Sequence, residues 1–504
     1  MGIVFRQSAK NLIIVSFGAA LGILISWLSI RYIPRQPLGF SNTLTTQAVT
    51  LSHLIFLGFS STLIVYVHRL ANDEAKRKLL LTLCLGIPAI LAVLVAIAYY
   101  FLKDYVLRHF QAIDIPLMAR YYMWLPVYAF LFIYQVMLEQ YLGSQMKVAI
   151  AAFIREIGLR ALNVLIIMLF AFNYINFTAF LASSILIYVI PVVIYFFLAL
   201  KTPSFGFSLR FSDFSHAEYK DLVLFFWYHL LLGVSIMLIT TMDILLLPLY
   251  DHSGFASVAV YRVAVILISF LQLPLKALMP ASFTVLAKAF TENDIPKAKD
   301  IFVRASINML IPTLCIAALL CCNLHNALVV IDKPGYEDIV PVFLILFIGS
   351  IVNIATGMND QVLTITNYYK FNVYLSTALI AVLYGLIRFL VPHYGMAGAA
   401  WSTTITVVVF NAIKCVFVWK KLNMLPFTHK TLLALLASLP AFAAGYFLPR
   451  FFEDGHHIFK HATYDAALRS ALIVAVYAAM LLWLKPSPDL QEYMATIRKN
   501  KRLF

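Results

Sequence analysis

The sequence has 504 residues, of which 62% are hydrophobic and 12% charged, with a mean hydropathy of +0.88 and a formal net charge of +15. This composition excludes a soluble globular protein of such length. The positive charge does not indicate nucleic-acid binding, because Lys and Arg collect in the cytoplasmic loops of membrane proteins.

Apolar runs recur along the whole chain. Each is about 20–25 residues long, and a helix of that length crosses a bilayer core of about 30 Å. The sequence holds about fourteen such runs. Their approximate cores are 11–33, 46–69, 79–102, 117–142, 148–172, 177–200, 220–248, 255–279, 301–322, 338–366, 371–392, 395–418, 430–449 and 465–485. The chain is therefore predicted to be an all-α polytopic membrane protein.

Basic residues cluster in alternate connections between these spans. They include residues 76–78, Lys201, Lys297, Lys420 and the tail 498–502. Because cytoplasmic loops are enriched in Lys and Arg, an even number of spans places both termini in the cytoplasm. The N-terminal apolar run is too long for a signal peptide and no small-residue cleavage site follows it, so we predict that it remains as the first span.

Two connections divide the first half of the chain. The first is predicted from Tyr32 to Thr46, where Pro37 and Gly39 precede a polar entry into span two. The second, residues 201–219, is rich in serine and carries Pro203, which is typical of a linker. It separates six spans from eight and predicts an N-terminal part, 1–200, ahead of the linker.

Span five begins with Arg155, Glu156, Arg160 and Asn163. At helical pitch the last three share one face within about 60°, and Glu156 with Arg160 forms an (i, i+4) pair. Two interpretations remain open. The residues form a buried ion pair that locks two helices, or they form a cavity wall in which Arg155 points elsewhere as the free cation.

Span seven places His229, Thr240 and Asp243 within about 80° of one another. A carboxylate is costly inside a membrane span. Asp243 is therefore either a structural partner of a basic residue such as Arg262, or a group that accepts a proton or Na⁺ and helps reset a transport cycle.

Span eight carries a polar stripe in an otherwise apolar helix. Arg262, Ser269, Gln272 and Lys276 fall within about 80° at helical pitch, and Pro274 predicts a kink. A cation inside a membrane span is costly unless it faces protein, water or a partner. The stripe therefore predicts a wet, cationic interior that takes anionic cargo.

The remaining polar groups give weaker signals. Asp360 lies near the cytoplasmic end of span ten, where a solvated position is expected. The segment from Phe451 to Asp465 holds three histidines, but no matched ligand pattern, so a solvated external loop is expected rather than a metal site. The five cysteines show neither a disulfide framework nor zinc spacing. No phosphate loop, nucleophile motif or room for a catalytic domain is present, so neither catalysis nor a cofactor is predicted.

Three segments together carry a resemblance to Wzx-type polysaccharide flippases. They are Ile33-Pro-Arg-Gln-Pro-Leu-Gly39-Phe, then Val258-Ala-Val-Tyr-Arg262 with Leu273-Pro-Leu-Lys-Ala-Leu-Met-Pro280, and Val391-Pro-His-Tyr-Gly395-Met-Ala-Gly398-Ala-Ala-Trp-Ser-Thr403. Their order and the six-plus-eight layout resemble the multidrug/oligosaccharidyl-lipid/polysaccharide (MOP) superfamily of exporters.

The resemblance implies two six-helix lobes around a central cavity, with two peripheral helices. The second lobe would cover 220–421, and 422–504 would hold helices thirteen and fourteen and a basic tail. Such a protein lies in the bacterial cytoplasmic membrane, contacts membrane lipid and polysaccharide biosynthesis proteins, and flips undecaprenyl-diphosphate-linked oligosaccharide. A coupling cation, Na⁺ or H⁺, would drive it.

The predicted site follows from the resemblance and the charges together. The candidates for binding diphosphate or sugar are Arg262, Lys276, Arg155, Arg160 and Gln272, and those for ion coupling are Asp243, Glu139 and Glu156. The carboxylates leave open a drug/cation antiporter of the same fold. A lipid II flippase is a weaker alternative, since spans one and two hold no dense arginine cluster.

Overall fold

The structure, a computed structural model, describes residues 17–18, 20–70, 73–145, 148–202, 205–366, 368–449 and 458–487. Every regular element in these ranges is a helix. Nine of the described helices are long and apolar enough to cross a membrane, or up to eleven if two bent pairs each count as one span. The protein is therefore an all-α, multi-pass membrane protein. Pro203 and residues 451–457 and 498–502, which entered the predictions above, lie outside the described ranges.

The first half of the chain forms eleven helices. They are α1 (Ala20–Tyr32), α2 (Arg35–Arg69), α3 (Glu74–Phe101), α4 (Lys103–Leu107), α5 (Ile115–Tyr121), α6 (Trp124–Ser144), α7 (Val148–Phe153), α8 (Leu159–Ala171), α9 (Phe177–Leu186), α10 (Val189–Leu200) and α11 (His216–Tyr250). A π-turn, Ile154–Gly158, joins α7 to α8, and a 3₁₀ turn, Phe211–Asp213, precedes α11.

The second half forms eight helices. They are α12 (Phe255–Leu271), α13 (Leu273–Thr291), α14 (Ile295–Ile331), α15 (Ile339–Ala355), α16 (Asn359–Ile365), α17 (Tyr369–Leu422), α18 (His429–Phe447) and α19 (Ile458–Leu484). Two compact units, Met1–Ala259 and Val260–Phe504, divide the chain. The predicted boundaries at 200, 219 and 421 stay predictions.

Each predicted span has a helical counterpart, although fewer helices meet the length criterion. Span one is described only over Ala20–Tyr32, and the π-turn interrupts span five. Spans eleven and twelve run together in α17, whose 54 residues would extend about 80 Å as a straight helix. A bilayer core is only about 30 Å thick, so α17 has to bend.

The bend in α17 lies at Gly395, whose φ is +53°. That conformation favours glycine because it has no Cβ. Three residues later, a Cβ on Gly398 would lie 2.6 Å from the carbonyl carbon of Leu390, so the chain folds back closely on itself here. The helix α17 thus consists of two segments that meet where the sequence predicted the connection between spans eleven and twelve.

The predicted connection from Tyr32 to Thr46 is wrong, because α2 begins at Arg35. Its polar residues do not break the helix, since their hydroxyl groups hydrogen-bond to carbonyls one turn earlier. The hydroxyl of Thr43 donates to the Gly39 carbonyl at 2.9 Å, and the next threonines follow the same pattern. Pro37 lies in the first turn, where its missing N–H has no intrahelical role.

The predicted external loop from Phe451 to Asp465 also needs correction. The helix α19 begins at Ile458, so Asp465 lies inside it and is buried. A carboxylate tolerates this position because Arg469, one helical turn later, binds it through two N–H groups at 3.1 Å each. Helix α19, which was predicted to be peripheral, therefore contains a buried ion pair.

Candidate functional site

A chain of ion pairs in the first unit brings together four of the predicted site residues. Glu139 comes from α6, Arg155 and Glu156 from the π-turn, and Arg160 from α8. Arg155 binds Glu139 and also Glu156, the latter at 3.0 Å. Arg160 binds the second oxygen of Glu156 at 2.7 Å and donates to the carbonyl of Gly18. Negative and positive side chains therefore alternate along this chain of ion pairs, and each charge is next to one of opposite sign.

The two kinds of charge differ in exposure. The arginine side chains are 46% and 33% exposed at Arg155 and Arg160, whereas the carboxylates of Glu139 and Glu156 are only 13% and 12% exposed. The amide of Gln135 adds a hydrogen bond to Glu139 at 3.0 Å. Largely buried glutamate side chains thus hold two arginine side chains that are partly exposed.

The π-turn explains why Arg155 belongs to this network. A wheel of 3.6 residues per turn predicts that Arg155 points away from Glu156 and Arg160, and that prediction is wrong. Hydrogen bonding from i to i+5 widens the turn and shifts the phase of the residues within it. Asn163 takes no part among the described contacts, because its amide donates to the Leu159 carbonyl of its own helix.

The predicted polar group on α11 consists of Asp243, His229 and Thr240. Asp243 is buried, and its carboxylate accepts the N–H of Ile244 at 2.8 Å. His229 and Thr240 hydrogen-bond to carbonyls of their own helix. Asp243 belongs to the first unit and Arg262 to the second. The suggested pairing of Asp243 with Arg262 remains a prediction.

The polar stripe of span eight is divided between two helices. Arg262 is half-buried in α12, Gln272 lies in the break between α12 and α13, and Lys276 is exposed in α13. The break precedes Pro274, which has no N–H to continue the α-helical pattern. A single helical phase therefore does not run from Arg262 to Lys276, and their common face stays a prediction.

The sequence interpretation missed a buried cation in the second unit. The ammonium of Lys414 in α17 donates to Asp360 in α16 at 2.6 Å and lies 3.4 Å from the centre of the Phe410 ring. Lys414 is 1% exposed, while Asp360 is 46% exposed. Asp360 is therefore paired, rather than simply solvated. The signal was a lysine within the apolar run 395–418, since a charge there is costly.

A second polar cluster in this unit joins α14, α18 and α19. Arg469 donates to Asp465 and to the carbonyls of Gly445 and Leu448 at the end of α18. Asn326 of α14 donates to the same carboxylate at 2.6 Å. A cavity of about 540 Å³ adjoins the cluster. Every described N–H···O contact of Arg469 goes to Asp465 or to a carbonyl at the end of α18. We therefore infer that this cluster holds the helices together.

No protein-family model matches the sequence, and no curated protein matches it. Solved structures do resemble its fold. The lipid II flippase MurJ in an inward closed conformation shares a TM-score of 0.70 and 15% identity, over 94% of this chain and 99% of that chain.

Two transporters of the MOP superfamily also match. An inward-facing multidrug resistance MATE family transporter of the MOP superfamily has a TM-score of 0.67 at 15% identity, over 80% and 94% of the two chains. A MOP superfamily transporter from Pyrococcus furiosus has a TM-score of 0.56 at 13% identity, over 84% and 97%. The chain therefore has the fold of the MOP superfamily transporters.

Proposed function

We propose that this chain is a flippase that moves an undecaprenyl-diphosphate-linked oligosaccharide across the bacterial cytoplasmic membrane by alternating access. The fold supports a transporter, because repeated halves that rock about a midplane site give such access. One observation carries the choice of an anionic cargo. Arg155 and Arg160 are partly exposed cations that largely buried carboxylates hold in place.

The network suits a diphosphate headgroup for a chemical reason. A guanidinium forms paired N–H···O bonds with phosphate oxygens and is less strongly hydrated than an ammonium. Glu139 and Glu156 fix the two guanidinium groups before cargo arrives, which lowers the cost of ordering them. Arg262, Gln272 and Lys276 are proposed cargo-binding residues of the second unit, and the lipid tail stays in the bilayer during the proposed cycle.

The same network supplies the proposed ion coupling. A phosphate oxygen that takes an N–H of Arg155 competes with Glu139 for that guanidinium. A mostly buried carboxylate that loses its partner is costly as an anion and favours uptake of a proton. Glu139 and Glu156 are therefore the proposed coupling groups in the first unit, and Asp243 is a further candidate.

A drug/cation antiporter of the same fold is the alternative, and the MATE neighbours favour it. Such a transporter needs a carboxylate that faces its cavity without a resident cation. Glu139 and Glu156 each bind an arginine instead, which argues against this role. A lipid II flippase is the third option, which the MurJ likeness favours but the missing arginine cluster in spans one and two does not.

Replacement of Arg155 tests the proposal. We expect Arg155→Ala to reduce transport at least about tenfold, because a hydrogen bond to a charged group contributes about 1.5–3 kcal/mol. Arg155→Lys should restore part of it, since the charge remains but the planar fork does not. The measurement is the accumulation of lipid-linked precursor on the cytoplasmic leaflet of cells that contain folded, inserted protein.

Arg120→Ala is the matched control for that experiment. Arg120 is an exposed arginine of the same unit that stacks on Tyr121, so its loss should leave transport unchanged. Full transport by Arg155→Ala would refute the proposed headgroup site. Export of cationic drugs by the unaltered protein, without any effect on lipid-linked precursor, would instead identify the antiporter.

A further inference from the structure

The pair formed by Lys414 and Asp360 lies at a broken membrane span. Helices α15 and α16 meet at an angle of 45°, and Gly357 in the break has a φ of +68°. A Cβ there would lie 2.8 Å from the Cβ of Ser306, so the break is packed tightly against α14. Discontinuous spans of secondary transporters commonly form cation sites, because the break exposes oxygen atoms inside the membrane.

Oxygen-bearing side chains surround this break. The hydroxyl of Thr356 donates to the Asn411 amide oxygen at 3.0 Å, and the Asn411 amide donates to Asn353 at 3.1 Å. Asn359, next to Asp360, is 2% exposed. Neither its amide oxygen nor its amide nitrogen has a hydrogen-bond partner among the described residues, although the thiol of Cys415 lies beside it. An amide this deeply buried, with no neighbour stronger than a thiol, is costly, and a bound ion is one way to satisfy it.

Access to the two charges is unequal. Asp360 is 46% exposed, so water and ions reach its carboxylate, whereas Lys414 is 1% exposed and its ammonium lies against the Phe410 ring. A small cation from solution would therefore meet a carboxylate whose inner side is already occupied by a tethered cation. Unlike a dissolved cation, that ammonium cannot diffuse away, because it is covalently part of the protein.

We propose that Lys414 is a built-in cation at a monovalent-cation site formed by Asp360 and Asn359. While the ammonium is present, Na⁺ is excluded by charge and by space. Removing the ammonium leaves a carboxylate and a free amide oxygen, both of which are ligands that Na⁺ accepts. The consequence is that this chain does not use Na⁺ at the break between α15 and α16, whatever cargo it carries.

The test compares the full-length purified protein in NaCl and in choline chloride. Lys414→Met should gain a saturable, Na⁺-specific rise in Tm of about 1 °C at ten times the Kd. The same variant should bind about one ²²Na⁺ per chain. The unaltered protein and the control Lys420→Met, an exposed lysine of the same helix, should show neither effect. Adding Asp360→Asn to Lys414→Met should abolish both.

Several results would overturn the proposal. One is a Lys414→Met protein that folds but shows no Na⁺-specific shift and binds no ²²Na⁺. Another is Na⁺ binding by the unaltered protein that Asp360→Asn removes. If Lys414→Met folds in neither salt while the neutral double variant folds, Asp360 accepts no cation other than the lysine, and the proposal fails. These measurements need no transport assay, so their failure leaves the proposed function untouched.

Discussion

Two ion pairs have the same sequence spacing, but breaking them is expected to lower the free energy of unfolding by very different amounts. Asp465 and Arg469 form one (i, i+4) pair at 3.1 Å, and Asp300 and Arg304 form the other at 2.8 Å. The first pair is 4% and 5% exposed, whereas the second is 57% and 36% exposed. Sequence spacing is the same, so the difference comes from burial and from the contacts that surround the buried pair.

Arg469→Met should destabilise the protein by about 3–5 kcal/mol, because it leaves the buried carboxylate of Asp465 uncompensated. It also removes the donor for the carbonyls of Gly445 and Leu448 at the end of α18. Arg304→Met should cost less than about 1 kcal/mol, since water hydrates the exposed carboxylate that remains. Reversible unfolding of the purified protein in mild detergent measures both.

A double variant separates charge from packing. In Asp465→Asn with Arg469→Met no charge is buried, and the new amide oxygen still accepts the hydrogen bond from Asn326. We expect this variant to recover most of the loss, with the remainder due to the two helix-end carbonyls. Equal costs for Arg469→Met and Arg304→Met would refute the reasoning, as would a double variant no more stable than Arg469→Met.

Three further predictions concern single positions. Burial raises the pKa of Asp114 against the opposing hydrogen bond from the N–H of Phe255. The stabilisation by protonated Asp114 is therefore full below the unfolded pKa of about 3.9 and is lost as pH rises through the raised pKa of the folded state. When Tm is measured against pH, it should fall more for the unaltered protein than for Asp114→Asn. Parallel profiles would contradict this. Gly39→Ala should cost about 1–3 kcal/mol in thermal unfolding, because its Cβ would lie 2.5 Å from the Phe255 carbonyl carbon, whereas Gly86→Ala, with no atom within 4 Å, serves as the control. A cysteine at Lys297 should react with impermeant reagent only from the cytoplasmic side, and labelling from outside intact cells would reverse the predicted topology.

The sequence alone determined the class of protein and the approximate positions of most of its helices. Apolar runs long enough to cross a bilayer must form helices, because lipid offers no hydrogen-bond partners for the backbone. Local signals also marked some ends. Ser215 and Glu218 form a capping box at the start of α11, a pattern visible within four residues. Such features depend only on residues that are close in the sequence, so they can be recognised before the packing is known.

Only the tertiary structure decided which charges meet. Lys414 and Asp360 are 54 positions apart, and Asn326 and Asp465 are 139 apart, so no periodicity relates them. The π-turn changed the phase of span five, which is why Arg155 joins Glu139 instead of pointing away. Burial fixes the cost of each charge, and burial comes from the packing of several helices at once. A helical wheel assigns faces to one helix, but the partner on the opposite helix is what makes a buried charge stable.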